Sequence, residues 1–453
     1  MLNKSLLKRS LPLSFLILTA CTTFGPTQDF IAQPDQDLEQ VSTWKSLENT
    51  TDVSTLNELF SSPQIDELLQ QAFSDNPGLQ QTLITLDIRR AQLQQTSAAQ
   101  RPQVNASFNG SRQEDADDSY SSALSISWQA DLWGKLSDRS QAASLDIAEQ
   151  EMLLQSARDS LAANIMTSWL SLITQQRSIA IQQERVDCLQ QNELFILQRY
   201  RNGLGLLEDL DSARSSLASA QADLIAQQEG FQQQYRSLKT LVGQISTMDI
   251  VIPEQLPEVN LATSGLPKQS LARRPDLKAA YLAIESANSE AKAAYKDLLP
   301  SFSIEAMLED VASSPRDALL VSPIWSLLGQ LTAPLYQGGA LRAAAEIAEL
   351  ETALSYQKYR DTLLTAVNEV EDAIGQEQSL VKQQQFIETA LASAQNNLIQ
   401  YQQNYRTGLI DILDLLSVQQ QTYDLESQLN TNQYDLLANR ITLGLALGLE
   451  ISQ

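Results

Sequence analysis

Tyr200-Arg201-Asn202-Gly203-Leu204, followed by Asp209, Leu210 and Ser212, returns as Tyr405-Arg406-Thr407-Gly408-Leu409 with Asp414, Leu415 and Ser417 behind it. Each matched pair lies 205 positions apart, and the same offset joins Leu224 to Leu429, Leu238 to Leu443 and Gly243 to Gly448. One offset held from Tyr200 to Gly243 marks an internal duplication rather than a compositional accident. Upstream, Asn76-Pro77-Gly78-Leu79 answers to Arg274-Pro275-Asp276-Leu277, and Arg101-Pro102 to Leu299-Pro300, at an offset of 198. The change of offset predicts one loop of different length in the two copies.

Within each copy the apolar spacing is helical. Ile387, Leu391, Ala394, Leu398, Tyr401 and Tyr405 step alternately by four and three, as do Leu363, Val367, Val370 and Ile374, which is a coiled-coil seam. In the first copy Val186, Leu189, Ile196 and Tyr200 keep the spacing, with Glu193 interrupting it. No proline falls between Leu132 and Ile252 or after Pro334, so helices of about 65 residues, roughly 100 Å long, fit before each Tyr-Arg-x-Gly turn. Glycine lets the backbone reverse there, and Leu425, Leu429, Leu436, Leu443 and Leu447 return along the first seam.

Other segments alternate with period two. Val104, Ala106 and Phe108 interleave with Asn105, Ser107 and Asn109; Leu124, Ile126, Trp128 and Ala130 interleave with Ser125, Ser127 and Gln129. The second copy offers Phe302, Ile304 and Ala306, then Trp325, Leu327, Gly329 and Leu331. Polar loops separate the members of each pair: Arg112 to Ser119, with Glu114, Asp115, Asp117 and Asp118, and Glu309 to Ser322. One apolar and one polar face per strand is the pattern of membrane-barrel strands with a wet lumen, the alternative being two surface hairpins of a soluble domain. Four strands cannot close a barrel, since an open edge in lipid leaves backbone groups unpaired. The membrane reading therefore forces oligomerisation, to eight strands from two chains or twelve from three, of which only the larger leaves a wide lumen.

Lys4, Lys8 and Arg9 precede the short apolar run Leu11 to Leu18, the form of a signal peptide, and Leu18-Thr19-Ala20-Cys21 closes it. That tetrad resembles the bacterial lipobox, whose cysteine becomes a lipid anchor, and by the same resemblance Thr22 directs the chain to the outer membrane. No later apolar run approaches the ~20 residues of a transmembrane helix. The net charge of -24 argues against nucleic acid as a partner. The chain has no histidine, the commonest general base and metal ligand, and Cys188 has no partner once Cys21 is acylated. No nucleophile and base pair, phosphate loop or metal cluster stands out, so neither an enzyme nor a cofactor beyond the lipid on Cys21 is expected.

The lipobox, the two x-Pro-x-Leu helix starts, Leu299-Pro300, Leu335-Tyr336-Gln337-Gly338-Gly339 and the two tips, in this order, resemble the TolC-like outer-membrane efflux ducts, in particular their NodT-type lipoprotein branch. The resemblance spans almost all of the mature chain. It implies a mainly α fold with a two-fold internal repeat: long coiled-coil helices forming a periplasmic α-barrel, and four strands per chain in a trimeric twelve-stranded membrane β-barrel. The expected organisation is a signal peptide over 1–20, a lipid-anchored segment over 21–62, a first repeat over 63–243 with strands near 103–110 and 121–131, a proline-containing linker over 244–273, and a second repeat over 274–453 with strands near 301–308 and 323–333.

By that resemblance the tips, Gly203, Leu204, Gly408 and Leu409, meet a periplasmic adaptor that links the duct to an inner-membrane pump. The family closes its periplasmic end with carboxylates six and nine residues after the second tip glycine. Here the sixth is Asp414 and the ninth is Ser417, while Asp411 adds a charge nearby and Asp209 is the first-copy counterpart. Arg201 and Arg406 are candidate ion-pair partners, and helix capping is the competing role for the aspartates. The functions that remain are a passive exit duct for small molecules, the same duct serving metal ions or secreted polypeptides, and a periplasmic coiled-coil scaffold or adaptor.

Overall fold

A computed structural model describes residues 25–451 except 27, 46, 49, 61, 115, 116 and 246–249. The signal peptide, Cys21 and Asp115 lie outside the described residues. After α1 (Gln33–Glu39), one order of elements runs twice. The first pass is α2 (Pro63–Asp75), α3 (Pro77–Ala98), β1 (Gln103–Ser111), β2 (Ser119–Ala130), α4 (Lys135–Arg201) and α5 (Leu207–Val242). The second is α6 (Pro267–Arg273), α7 (Pro275–Lys296), β3 (Ser301–Ala312), β4 (Ile324–Thr332), α8 (Ala340–Arg406) and α9 (Ile412–Ala446). The long helices α4 and α8 are each 67 residues. The shift in offset resides in two places rather than the single loop expected: the hairpin loop spans 112–118 in the first copy and 313–323 in the second, and the segment leading into the long helix spans 131–134 and 333–339.

The chain divides into two compact units. The first contains 84–152 and 277–362 with the N-terminal segment to Glu39, and holds the sheet. Its four strands lie in the order β1-β2-β3-β4, all antiparallel. The registers align the apolar positions in rows: Ala106, Leu124, Leu308 and Trp325; Val104, Ile126, Ala306 and Leu327; Trp128, Ile304 and Gly329; Ala130, Phe302 and Leu331. The same registers put Asn105, Ser107, Ser125, Ser127, Ser303, Glu305, Glu309, Ser326 and Gln330 on the opposite face. The apolar face is not covered in one chain: Trp325 is 75% exposed and Leu327 67%. Below the strands Lys296 pairs with Asp138 at 2.5 Å, and Lys135 and Arg139 both reach Asp297. The N-terminal segment docks on α8, where Tyr356 donates to Asp37 at 2.8 Å and packs at a tilt against the Phe30 ring, 5.7 Å between centroids.

The second unit comprises 40–83, 153–276 and 363–453. Its core is the seam side of the long helices, with Ile165, Met166, Leu170, Leu172 and Ile173 fully buried on α4 and Leu363, Val370, Ile374, Ile387 and Leu391 buried on α8. The segment between the repeats is tied down: Thr51 N–H donates to Leu261 O at 2.7 Å, Asn260 N–H donates to Leu59 O at 2.7 Å, and Arg440 donates to Val259 O while pairing with the buried Glu377.

The duplication is visible here in atomic detail. Asn76, just before Pro77, donates its side-chain amide to Leu241 O at 2.7 Å. Arg274, just before Pro275, donates to Ala446 O at 3.2 Å. Each carbonyl lies two residues before a glycine in the left-handed region, Gly243 at φ 81° and Gly448 at φ 77°. Both glycines end their helices against the start of α3 or α7, where a Cβ would collide with the backbone of Asp75 and Asn76 at Gly243 and would press tightly on Arg273 and Arg274 at Gly448.

Candidate functional site at the helical tips

Each long helix ends in a Schellman turn. Leu204 N–H donates to Arg199 O at 2.9 Å and Gly203 N–H to Tyr200 O at 3.0 Å; Leu409 N–H donates to Asn404 O at 2.9 Å and Gly408 N–H to Tyr405 O at 3.1 Å. Gly203 (φ 73°) and Gly408 (φ 78°) take the left-handed conformation that this geometry needs. Leu204 and Leu409 then stand out at the ends of the hairpins, 68% and 74% exposed.

The aspartates behind the turns hold different positions. Asp411 is the N-cap of α9: its Oδ1 accepts from Asp414 N–H at 2.9 Å. Asp209 is the third residue of α5 and accepts from Leu206 N–H at 3.3 Å. Asp414, at the matching position of α9, contributes its backbone to the cap, and its carboxylate has neither a hydrogen bond nor an ion pair among the described residues. Negative charge in a first helical turn is worth about 0.3–1 kcal/mol at the surface, so each acid is compatible with its helix whatever else it does.

Neither Arg201 nor Arg406 pairs with these acids within one chain. Both are the exposed last residues of their helices. The cation that does join the tips is Arg199, which escaped the sequence reading. Its guanidinium donates to Leu204 O at 3.2 Å and lies 5.7 Å from the Tyr405 ring centroid. The signal for it was the spacing of Phe195 and Arg199, one helical turn apart on the face that meets Tyr405, whose ring packs edge-on against Phe195 at 5.8 Å. Tyr405 is 8% exposed and Tyr200 40%, so the two copies of the motif are not equivalent. Burial raises the Tyr405 hydroxyl pKa above its usual value, and the nearby Arg199 opposes this.

Together the tips enclose a cleft of about 480 Å³ lined by Arg199, Asp209, Tyr405, Asp411 and Asp414. Beneath it Ile196, Leu210, Ala213, Ile412 and Leu415 form a small apolar core that holds the two hairpins together. No cluster of metal-ligating side chains occurs among the described residues, and no described helix is long and apolar enough to cross a membrane.

The model of the outer membrane efflux protein family matches residues 68–244 and 266–449, one match per repeat. The cation efflux system protein CusC of Escherichia coli K12 is 26% identical over 86% of this chain and 87% of its own length. The pyoverdine export outer membrane protein OpmQ of Pseudomonas putida is 25% identical over 97% of this chain and 96% of its own. Among solved structures, the Campylobacter jejuni CmeC outer membrane channel superposes with a TM-score of 0.82 over 92% of each chain, at 20% identity. With both repeats matched in order, this chain belongs to the outer membrane efflux protein family.

Proposed function

We propose that three copies of this chain form the outer-membrane exit duct of a tripartite efflux system, conducting small molecules passively from a periplasmic adaptor and an inner-membrane pump to the exterior. The observation that carries the reading is the four-stranded sheet with an uncovered apolar face, a polar face and two open edges. Three antiparallel pairings make β4 antiparallel to β1, so β4 of one copy can continue onto β1 of the next and close a ring. A second apolar stripe on α8, Ile347, Leu350, Leu354 and Leu364, is exposed in one chain and supplies a helical contact between copies. The exposed Leu204 and Leu409 are apolar handles for an adaptor. Relatives named for cation efflux and for pyoverdine export both align along most of this chain, which supports the reading that the pump rather than the duct selects the cargo. In detergent the protein should be trimeric by native mass spectrometry; a monomer or dimer as the sole species would refute the barrel.

The Leu18-Thr19-Ala20-Cys21 tetrad adds a lipid anchor on Cys21. Cys21→Ser should abolish acylation yet leave trimer in the outer membrane, because the barrel is an independent hold. An unmodified cysteine at the mature wild-type N-terminus, read by mass spectrometry, would sink the anchor.

A further inference from the structure

Two polar side chains stand on the apolar face of the sheet, Ser122 and Asp310, register partners in β2 and β3 one row above Leu124 and Leu308. Both are buried, and the β3–β4 loop is what covers them. Ser122 Oγ donates to Ala318 O, Ser322 N–H donates to Asp310 Oδ2 at 2.9 Å, and Ala318 is fully buried. Because side chains alternate along a strand, a loop held by these two residues lies on the apolar outer face and not over the polar one. The loop is shaped by its own turn, Ser314 Oγ donating to Asp317 Oδ2 at 2.6 Å and Ala318 N–H to Ser314 O at 3.2 Å.

The outward side of that loop is Leu319, Leu320 and Val321, with Leu319 63% and Val321 67% exposed. Leu320 has φ 55°, the one non-glycine residue with positive φ among the described residues, a conformation that costs of order 1–2 kcal/mol unless the surroundings impose it. Phe108, Tyr120 and Trp325 surround the same rim, and Phe302 and Trp128 mark the other end of the face. From Phe302 to Asp310 is about 26 Å along the strand, which a tilt of about 40° converts to about 20 Å of height, most of the ~25 Å apolar band of a membrane barrel. The apolar tripeptide therefore continues the lipid-facing surface at its outer aromatic girdle.

We propose that the loop 313–323 is a membrane-contacting strap: it folds back over the outer wall of the barrel and sets Leu319, Leu320 and Val321 among the acyl chains of the outer leaflet. This rests on the barrel reading, and it leaves the duct mouth free of this loop. Single nitroxide labels at Leu320→Cys, Val321→Cys, Leu327→Cys and Ser125→Cys, in a Cys188→Ala background, would be read by electron paramagnetic resonance in trimers reconstituted into lipid bilayers. The ratio of collision with oxygen to collision with a water-soluble nickel chelate should be severalfold higher at 320, 321 and 327 than at 125. A low ratio at both 320 and 321 with a high ratio at 327 overturns the strap and keeps the barrel. Low ratios at 320, 321 and 327 together overturn both.

Discussion

Gly243→Ala is expected to be among the most destabilising single-methyl changes available in this chain. Gly243 has φ 81°, and a Cβ built there meets Asp75 O at 2.4 Å, Asp75 C at 2.6 Å and Asn76 N at 2.9 Å, all backbone atoms at the entrance to α3. The helix ends must separate, which also breaks the hydrogen bond from Asn76 to Leu241 O. The left-handed backbone alone costs an alanine about 1 kcal/mol, and a backbone collision on top of it puts the total above ~4 kcal/mol. Gly203→Ala is the control, with φ 73° and nothing within 4 Å of the added carbon. Gly448→Ala should fall between them, its Cβ lying 3.0 Å from Arg273 Cβ and Arg274 N. Thermal denaturation of the detergent-solubilised trimer checks the ranking; equal losses at Gly243 and Gly203 would mean that the close packing between repeat ends is not what fixes these glycines.

The second large effect is expected at the acids behind the second tip. Asp411 already serves as a helix cap, whereas the Asp414 carboxylate, Arg201 and Arg406 have no ion-pair or hydrogen-bond partner among the described residues of one chain. Pairing between copies is therefore the arrangement open to them, three times around the symmetry axis. Charge-assisted hydrogen bonds of about 1.5–3 kcal/mol each, taken three times, reach the ~5.5 kcal/mol that carries a two-state closure from mostly shut to mostly open. Asp414→Ala should raise conductance across a planar bilayer severalfold, and Arg201→Ala or Arg406→Ala should do the same for the partner that is used. Asp411→Ala should act mainly on α9, costing about 1 kcal/mol of cap, and Asp209→Ala should change conductance less than Asp414→Ala. Cation preference should fall in Asp414→Ala without vanishing, because Glu305 and Glu309 remain as the charged groups on the polar face of the strands. Asp414→Ala channels matching wild type in both conductance and cation preference would reduce this residue to a helix-terminal charge.

The contrast between these two cases marks what a linear pattern can carry. The duplication, the long helices, the period-two strands and the turn glycines were all legible, because each is a local regularity: a spacing of three and four, an alternation, or a residue that tolerates positive φ. The fixed offsets even located Gly243 and Gly448 as equivalents, although only the structure shows that both are small because a neighbouring helix start presses on them. The offset change was legible as a length difference but not as two separate insertions, since an offset sums everything between its markers. At the tips the sequence pointed to the acids and to two arginines that find no partner within the described residues of one chain, and it passed over Arg199. Arg201 and Arg406 stand nearest the glycines in the chain, but Arg199 is the residue that a helical turn rotates onto Tyr405, a residue 206 positions away. The contacts of Ser122 with Ala318 and of Asp310 with Ser322, which hold the loop after β3, likewise come from tertiary packing. Partners of a side chain depend on which distant backbone donors and rings arrive beside it, and periodicity along one segment holds no record of that.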